Sequence, residues 1–169
     1  MLPLEIGLGH SRPGASLRPV GLVLHSTADP GATARQIRDY FNTHRGASTH
    51  LVVDWTEIVE LIPWEPGVAE IAWHAGPTAN MKFLSIEWCE TTDQDRFAAS
   101  YSMYIDTIAK VLMTYNWPAD IDHVWSHAKV SATFKETDHQ DPLPYLAKWG
   151  KTWGNVMDDV AAKLRNGGV

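Results

Sequence analysis

Short apolar runs closed by small polar residues recur along the chain and predict β-strands. The first, residues 20–26, reads Val-Gly-Leu-Val-Leu-His-Ser, which is typical of a largely buried strand with His25 at its carboxyl end. Two later runs flank Trp55 and Thr56 at the spacing of a hairpin. The predicted strands are residues 20–26, 48–54, 57–62, 82–90 and 124–127.

Other stretches carry apolar residues at helical spacing. Asp29 and Pro30 have the form of an N-cap and a first turn, which predicts that the first helix begins there. Thr92 and Asp95 resemble a capping box, and the apolar stripe that follows them runs to Pro118, so we expect the longest helix here. The predicted helices are residues 30–45, the stretch between Thr92 and Pro118, and residues 152–166.

The segments between these elements are predicted as loops. Residues 64–80 are punctuated by proline and glycine and predict a long surface loop, a kind of segment that is often functional. Residues 128–144 are also predicted as a loop. Strands and helices mixed in this order predict an α/β fold with a central sheet covered by helices.

Length and charge narrow the possible partners. The 169 residues fit a single domain, with residues 1–18 as an N-terminal arm. Fourteen Lys and Arg against 20 Asp and Glu give a formal charge of −6, and no basic run is present, which argues against a nucleic acid partner. The first 19 residues hold no apolar run long enough for a signal peptide or a membrane helix, so we expect no membrane partner.

Side chains that can bind a metal lie at the ends of predicted elements. His25 closes the first strand, His127 closes the last, and His139 and Asp141 follow in the next loop. Imidazole and carboxylate are the ligands of catalytic zinc, which lowers the pKa of a bound water to about 7 and makes it a nucleophile. No short zinc signature is present, and any one histidine alone is more often structural or exposed to solvent than a metal ligand.

Strand alternation adds a carboxylate and a thiol to the candidates. It places Glu87 and Cys89 on one face of their strand, with Ile86 and Trp88 on the other. Cys89 is therefore an alternative soft ligand, although a lone cysteine more often behaves as a small buried apolar residue. As the single cysteine of the chain, it excludes an internal disulfide.

A set of short motifs occurs in a fixed order along residues 11–150. The motifs are Ser-Arg-Pro-Gly (11–14), Leu-Val-Leu-His-Ser-Thr-Ala (22–28), Ser-Thr-His-Leu-Val-Val-Asp (48–54), Ala-Trp-His-Ala-Gly (72–76), Leu-Ser-Ile-Glu (84–87), Ser-His (126–127) and Thr-Asp-His-Gln-Asp-Pro (137–142). Together they resemble a known family, the zinc-dependent N-acetylmuramoyl-L-alanine amidases of phage endolysins, bacterial autolysins and peptidoglycan recognition proteins.

The resemblance implies a central mixed β-sheet flanked by helices, with a zinc groove on one side. It matches His25 and His127 to the first two zinc ligands and Asp141, before Pro142, to the third. His139 is a competing third ligand and Asp138 a weaker one.

The resemblance also implies which residues carry the reaction. Glu87 matches the acidic residue that exchanges a proton with water and with the leaving nitrogen. Many relatives place Lys or Thr two positions before the third ligand, where it stabilises the oxyanion, and this chain has His139 there. His139 is therefore the expected oxyanion donor, with Lys135 as its substitute.

Substrate binding is assigned to aromatic residues near the groove. Trp73 and His74 match the Trp-His-Ala-Gly signature, and His74 is alternatively placed beside the zinc. His50 is assigned to substrate binding or, alternatively, to the core. The remaining histidines are interpreted as ordinary, and these are His10, His44 and His123.

The activity implied by the resemblance is hydrolysis of the amide between N-acetylmuramic acid and the L-alanine of the stem peptide in bacterial peptidoglycan. A recognition domain that binds muramyl peptides without cutting them is the main alternative, and a glycosidase using Glu87 is a weaker one. We expect a monomer held in the host cytoplasm until its release to the cell wall, or else part of a longer secreted autolysin. The terminal helix, residues 152–166, would then lead to a wall-binding domain.

Overall fold

A six-stranded mixed sheet organises the chain in the computed structural model, which describes residues 3–5, 7–43 and 46–167. The strand order is β1-β4-β3-β5-β2-β6. β3 and β4 form the predicted antiparallel hairpin, and the other neighbouring pairs are parallel. The strands are β1 (Leu4–Glu5), β2 (Gly21–Ser26), β3 (Leu51–Val53), β4 (Ile58–Glu60), β5 (Phe83–Trp88) and β6 (Val124–Ser126).

Helices cover both faces of this sheet, which confirms the predicted α/β class. On one face, α3 packs its apolar stripe on the strands, and the Trp88 ring stacks on Tyr104 with centroids 4.7 Å apart. α6 lies behind α3, where Tyr101 donates a hydrogen bond to Asp159. The helices are α1 (Ala34–Thr43), α2 (Pro77–Asn80), α3 (Gln94–Tyr115), α4 (His127–Phe134), α5 (Leu143–Lys148) and α6 (Trp153–Arg165).

The opposite face of the sheet holds the groove. Val52 and Val59 pack there against α1, and Val23 and Phe83 pack against α2 and α4. Because side chains alternate along a strand, the same alternation that turns Leu22 and Leu24 toward α3 turns Val23 and His25 toward this second layer.

Two helices begin later in the chain than predicted. α1 begins at Ala34, because Pro30 is followed by Gly31 at φ +101°, a left-handed conformation that no helix contains. Thr33 is the residue that caps α1, accepting a hydrogen bond from the Gln36 amide. α3 begins one residue later than the predicted capping box, with Asp93 as its N-cap, and is the longest helix as expected. His44 and Arg45, inside the predicted first helix, lie outside the described residues.

The loop prediction for residues 128–144 is correct for residues 135–142 and wrong at both ends. α4 starts directly at His127, where the Ser126 side chain caps the helix by accepting from the Lys129 amide, and α5 follows at Leu143. α4 has only eight residues, which is too short for a stable helix on its own, and packing of Val130 in the apolar layer with Ala79 and Phe83 supports it.

Residues 64–80 are less exposed than a surface loop. They include the short helix α2, and Trp64 and Ala72 are almost completely buried. The N-terminal arm is also packed, since β1 pairs with β4 and Leu17 belongs to the core. In the part of the chain that the structure describes, none of the helices combines the length and the apolar character needed to cross a membrane.

Candidate metal centre and groove

Adjacent parallel strands bring the two predicted histidine ligands to one edge of the sheet. β2 ends beside β5, where His25 is in register with Glu87, and it also pairs with β6, where Leu24 is in register with Ser126. His127 follows Ser126 as the first residue of α4. The carboxyl ends of three parallel strands therefore supply the floor of the site.

The segment after α4 returns Asp141 to the same place. The Asp141 carbonyl accepts a hydrogen bond from the Ala128 amide at 3.3 Å, and its Oδ2 accepts from the Ser26 amide at 3.3 Å. Upstream in this segment, Glu136 accepts hydrogen bonds from the backbone amide and the hydroxyl of Thr78. These contacts fasten the segment to the ends of β2 and α2.

The glycine of the Trp-His-Ala-Gly motif makes this fastening possible. Gly76 has φ +90°, and a Cβ placed on it would lie 2.9 Å from the Glu136 Cβ. Any larger residue would push the segment that carries Asp141 away from α2.

His25, His127 and Asp141 form a compact cluster of donor atoms. Nδ1 of His25 lies 3.0 Å from Nδ1 of His127 and 3.1 Å from Oδ2 of Asp141, and the His127 Nδ1 lies 3.1 Å from Oδ1 of Asp141. Both histidines are buried and Asp141 is half-buried. Within the described ranges, these three residues are the group of His, Cys, Asp and Glu side chains close enough to share a metal ion.

The cluster fits a small divalent cation. Zinc bonds of about 2.0–2.1 Å in tetrahedral geometry place neighbouring ligand atoms about 3.3 Å apart, close to the separations found here. Two nitrogens and a carboxylate oxygen facing one another in a buried site repel each other unless a proton or a cation lies between them. The donor set and its spacing are therefore those of a three-ligand metal centre with an open position.

The charges of these groups support the same interpretation. Burial lowers the pKa of His25 and favours the neutral imidazole, which is the form that binds a metal. Burial alone would raise the pKa of the Asp141 carboxyl, but the adjacent imidazoles of His127 and His25 outweigh it and leave the pKa lowered. Asp141 is therefore a carboxylate.

The outward nitrogens of both histidines have partners as well. The His25 Nε2 lies 3.2 Å from Nδ1 of His74, and the His74 Nε2 lies 3.2 Å from the Phe83 carbonyl. The His127 Nε2 lies 3.2 Å from the hydroxyl of Thr137, which hydrogen-bonds Ser131 at 2.7 Å. The sequence did not point to Thr137 or Ser131 as residues of the site. Thr137 begins the Thr-Asp-His-Gln-Asp-Pro motif, but no pattern indicated its contact with His127.

Glu87 lines the groove beside this cluster. Burial raises the pKa of its carboxyl well above the ordinary value, and the negative charges of Asp141 and Glu90 raise it further. No residue in the described ranges hydrogen-bonds the Glu87 carboxyl. A half-buried carboxyl with a raised pKa and no protein partner is suited to exchanging protons with a bound molecule.

The two predicted oxyanion donors are placed differently. His139 stacks on the His127 ring with centroids 4.6 Å apart, its side chain is 62% exposed, and it lines the groove. Its Nδ1 lies 3.5 Å from Oδ1 of Asp141. Lys135 is exposed at the end of α4 and does not belong to the lining of either described cavity.

The other alternative ligands lie outside the cluster. Asp138 is exposed, and its carbonyl accepts a hydrogen bond from the Gln140 side chain. Cys89 is completely buried in the apolar layer under α1, and burial raises the pKa of its thiol. Cys89 therefore behaves as a small buried apolar residue, which is the alternative to a metal ligand that was predicted for it.

The cluster lies at the bottom of a groove formed by two adjoining cavities of about 280 and 440 Å³. One wall of the first cavity is apolar and comes from α1, through Ile37, Tyr40 and Phe41. Trp73, 36% exposed, lines both cavities together with His74. The α1 wall was missed in the sequence, because an apolar stripe on a helix is read first as core.

His50 is the substrate-binding candidate that the structure places beneath the groove. It is completely buried, its Nδ1 accepts from the Ser85 amide at 3.0 Å, and its Nε2 donates to the Glu70 carbonyl at 2.8 Å. Burial lowers the pKa of His50 to about 4. A direct contact with substrate is incompatible with this position, and the core alternative fits it.

Known proteins are similar to this chain in sequence and in fold. The sequence profile described as N-acetylmuramoyl-L-alanine amidase matches residues 15–144. Protein Ami of Listeria monocytogenes is 33% identical over 155 residues, 88% of this chain, and a bifunctional autolysin of Staphylococcus epidermidis is 34% identical over 157 residues, 86% of this chain. The chain matches only 16% and 11% of the lengths of these two relatives.

Solved structures agree with the profile. The Staphylococcus aureus hydrolase AmiA, solved with its ligand, superposes with a TM-score of 0.88 at 28% identity, covering 97% of this chain and 83% of AmiA. A mutant endolysin from Bacillus subtilis has the same fold, with a TM-score of 0.74 at 24% identity, covering 95% of this chain and 99% of the endolysin. From the profile match over most of its length, the chain belongs to the N-acetylmuramoyl-L-alanine amidase family.

Proposed function

We propose that this chain hydrolyses the amide bond between the lactyl group of N-acetylmuramic acid and the L-alanine of the stem peptide in bacterial peptidoglycan, using zinc. The observation that carries this proposal is the complete cluster of His25, His127 and Asp141 at the bottom of an open groove. Membership of the amidase family supplies the reaction type, and the cluster supplies a means to perform it.

His25, His127 and Asp141 would hold the ion, with their two imidazole nitrogens and one carboxylate oxygen. Bound zinc would polarise the lactyl carbonyl and lower the pKa of a coordinated water, so that hydroxide is available near neutral pH. Two histidines with one carboxylate are a ligand set that catalytic zinc sites use, with the fourth position left to water.

Glu87 is the proposed general base and general acid. Its carboxyl faces the groove without a protein partner, and its raised pKa strengthens its affinity for a proton. Glu87 takes a proton from the attacking water and delivers it to the nitrogen of the leaving L-alanine. The same residue thus acts in both halves of the reaction.

His139 is the proposed donor to the oxyanion of the tetrahedral intermediate. It lies at the rim of the cluster, stacked on His127, with its ring largely in solvent and free to meet a substrate. A hydrogen bond that strengthens as the carbonyl oxygen becomes negative lowers the barrier of the reaction. Lys135 is the alternative donor, but its place outside the groove lining favours His139.

The groove has walls suited to a muramyl peptide. Trp73 offers a flat apolar face of the kind that packs on sugars and peptides, and the α1 wall of Tyr40 and Phe41 offers further aromatic surface opposite it. The two adjoining cavities meet at His74 and His139, beside the proposed zinc. A substrate with parts on both sides of its scissile bond could therefore occupy both.

Binding without hydrolysis is less well supported than catalysis, because all three candidate ligands are present and lie within reach of one ion. We further propose that the chain acts on the cell wall as a monomer, with nucleic acid and membrane excluded as partners. Storage in the host cytoplasm before release, or secretion as part of a longer autolysin, stays a prediction.

Product analysis on purified peptidoglycan tests this proposal. An amidase releases new amino termini on L-alanine without new reducing sugar ends, and the activity disappears with a chelator and returns with zinc. A muramidase would instead produce reducing ends in the presence of chelator. A recognition domain would bind muramyl peptides and release nothing.

A further inference from the structure

His74 lies between a backbone carbonyl and a proposed zinc ligand. Its Nε2 is 3.2 Å from the Phe83 carbonyl oxygen, and its Nδ1 is 3.2 Å from Nε2 of His25. A carbonyl oxygen accepts hydrogen bonds and never donates them. The proton of a neutral His74 must therefore be on Nε2, which leaves a lone pair on Nδ1.

This arrangement determines the tautomer of the next ring. Because Nδ1 of His74 is an acceptor, Nε2 of His25 must be the donor. The Nδ1 of His25 is then a lone pair, and it is the atom that faces Asp141 and His127. Two hydrogen bonds in series thus connect the Phe83 carbonyl to the electron pair that would bind the metal.

The fold holds both ends of this series in place. Phe83 begins β5, where it is in register with Gly21 of β2, so its carbonyl belongs to the sheet. The backbone amides of His74 and Ala75 both donate to Oδ1 of Asn80, at 2.8 and 2.9 Å. His74 is consequently positioned by its own backbone and does not depend on a substrate for its orientation.

We propose that His74 is a positioning residue that fixes His25 in its Nε2-protonated tautomer and thereby sets the affinity of the zinc site. The inference rests on the proposed function in that it requires zinc to bind at His25. His74 lines the groove, as predicted for a substrate-binding residue, but both of its ring nitrogens are engaged by the protein. A hydrogen bond from His74 to substrate would break the series.

The second histidine ligand has no equivalent constraint. The Nε2 of His127 meets the Thr137 hydroxyl, and a hydroxyl both donates and accepts, so the tautomer of His127 is not dictated by its partner. Of the two histidine ligands, only His25 therefore has its tautomer determined by a series that starts at a backbone carbonyl.

Zinc affinity of two His74 variants tests the proposal. His74→Leu removes the acceptor for His25, whereas His74→Asn retains an oxygen close to the position of Nδ1. Loss of such an outer partner typically weakens metal binding about 10–100-fold. In competition with a chromophoric chelator, we expect this loss for His74→Leu and a loss of no more than about threefold for His74→Asn. His10→Leu, which replaces an exposed histidine outside the groove, should bind zinc as the wild type does.

The proposal is overturned if folded His74→Leu binds zinc as tightly as the wild type, or if His74→Asn is as weak as His74→Leu. Circular dichroism of both variants shows whether each one is folded. If His74→Leu does not fold, the test uses wild-type protein labelled with ¹⁵N-histidine. Long-range ¹H–¹⁵N correlation spectra are recorded with chelator and with zinc.

Those spectra should show His25 and His74 protonated on Nε2 and unprotonated on Nδ1. A proton on Nδ1 of either ring contradicts the proposal, with or without metal. Failure of the proposed function gives a different result: wild-type protein that binds no zinc, whatever the tautomers of these two rings.

Discussion

Nδ1 of His25 lies 3.0 Å from Nδ1 of His127, although the two residues are 102 positions apart in the chain. The first is the second-last residue of β2, and the second starts the helix that follows the adjacent parallel strand β6. Asp141 completes the triangle at 3.1 Å from each. Three donor atoms held this close in a buried position are stabilised by a shared cation, so the first expectations concern metal binding.

Removal of either histidine should abolish zinc binding. His25→Ala and His127→Ala each leave two ligands, too few for a stable site, so after dialysis we expect metal content to fall from about one zinc per chain to near zero. Hydrolysis of muramyl peptides should fall at least about 100-fold with it. Elemental analysis and release of L-alanine amino termini measure the two effects.

The control for these variants is His10→Ala, since His10 is exposed and does not line the groove. It should keep both zinc and activity. Full zinc content in folded His127→Ala would show that the ion is bound elsewhere.

Glu87→Gln should separate metal binding from turnover. The amide has nearly the shape of the carboxyl but cannot carry a proton between water and the leaving nitrogen, and general acid–base catalysis contributes about 10²–10⁴-fold. We expect kcat to fall within this range while zinc content is unchanged. Wild-type turnover by zinc-loaded Glu87→Gln would rule out this residue as the base.

The oxyanion donor is identified by comparing two single variants. His139→Ala should lower kcat by about 10²–10³-fold with little change in KM, as expected for a donor that acts mainly in the transition state. Lys135→Ala, outside the groove lining, should leave kcat within about twofold of the wild type. The reverse pattern would assign the role to Lys135.

Some of this site was predictable and some was not, for physical reasons. The pattern placed His25 and His127 at the ends of apolar strands, and the family resemblance matched both to one ion. The parallel pairing of β2 with β6, which brings them together, was not in the pattern. α4 was missed because eight residues are too few to show a clear helical periodicity, and packing of Val130 supports the helix. The contact of His74 with Phe83 was also out of reach, because it depends on the path of an irregular segment.

Stability should decrease in acid through His50. Its pKa is about 4 in the fold against 6.5 when unfolded, because burial disfavours the charged ring and protonation of Nδ1 would remove the acceptor for the Ser85 amide. Between pH 6.5 and 4 the unfolded chain therefore binds a proton that the folded chain does not. The resulting contribution of His50 to the free energy of unfolding is about 3 kcal/mol. It is present above pH 6.5 and is lost as the pH falls to 4.

Urea unfolding from pH 7 to pH 4.5 with chelator present measures this contribution. His50→Gln has no titratable group at this position, so its free energy of unfolding should vary less steeply with pH than that of the wild type. An NMR titration of the wild type should place the pKa of His50 near 4. A pKa near 6.5 in the folded protein would contradict the account of His50.

An anomalous-scattering map at the zinc edge, from crystals of the chain grown with zinc, tests the central claim most directly. The account predicts one strong peak within bonding distance, about 2.0–2.2 Å, of Nδ1 of His25, Nδ1 of His127 and a carboxylate oxygen of Asp141. A map without a peak among these three side chains, from crystals whose protein still hydrolyses muramyl peptides, would contradict it.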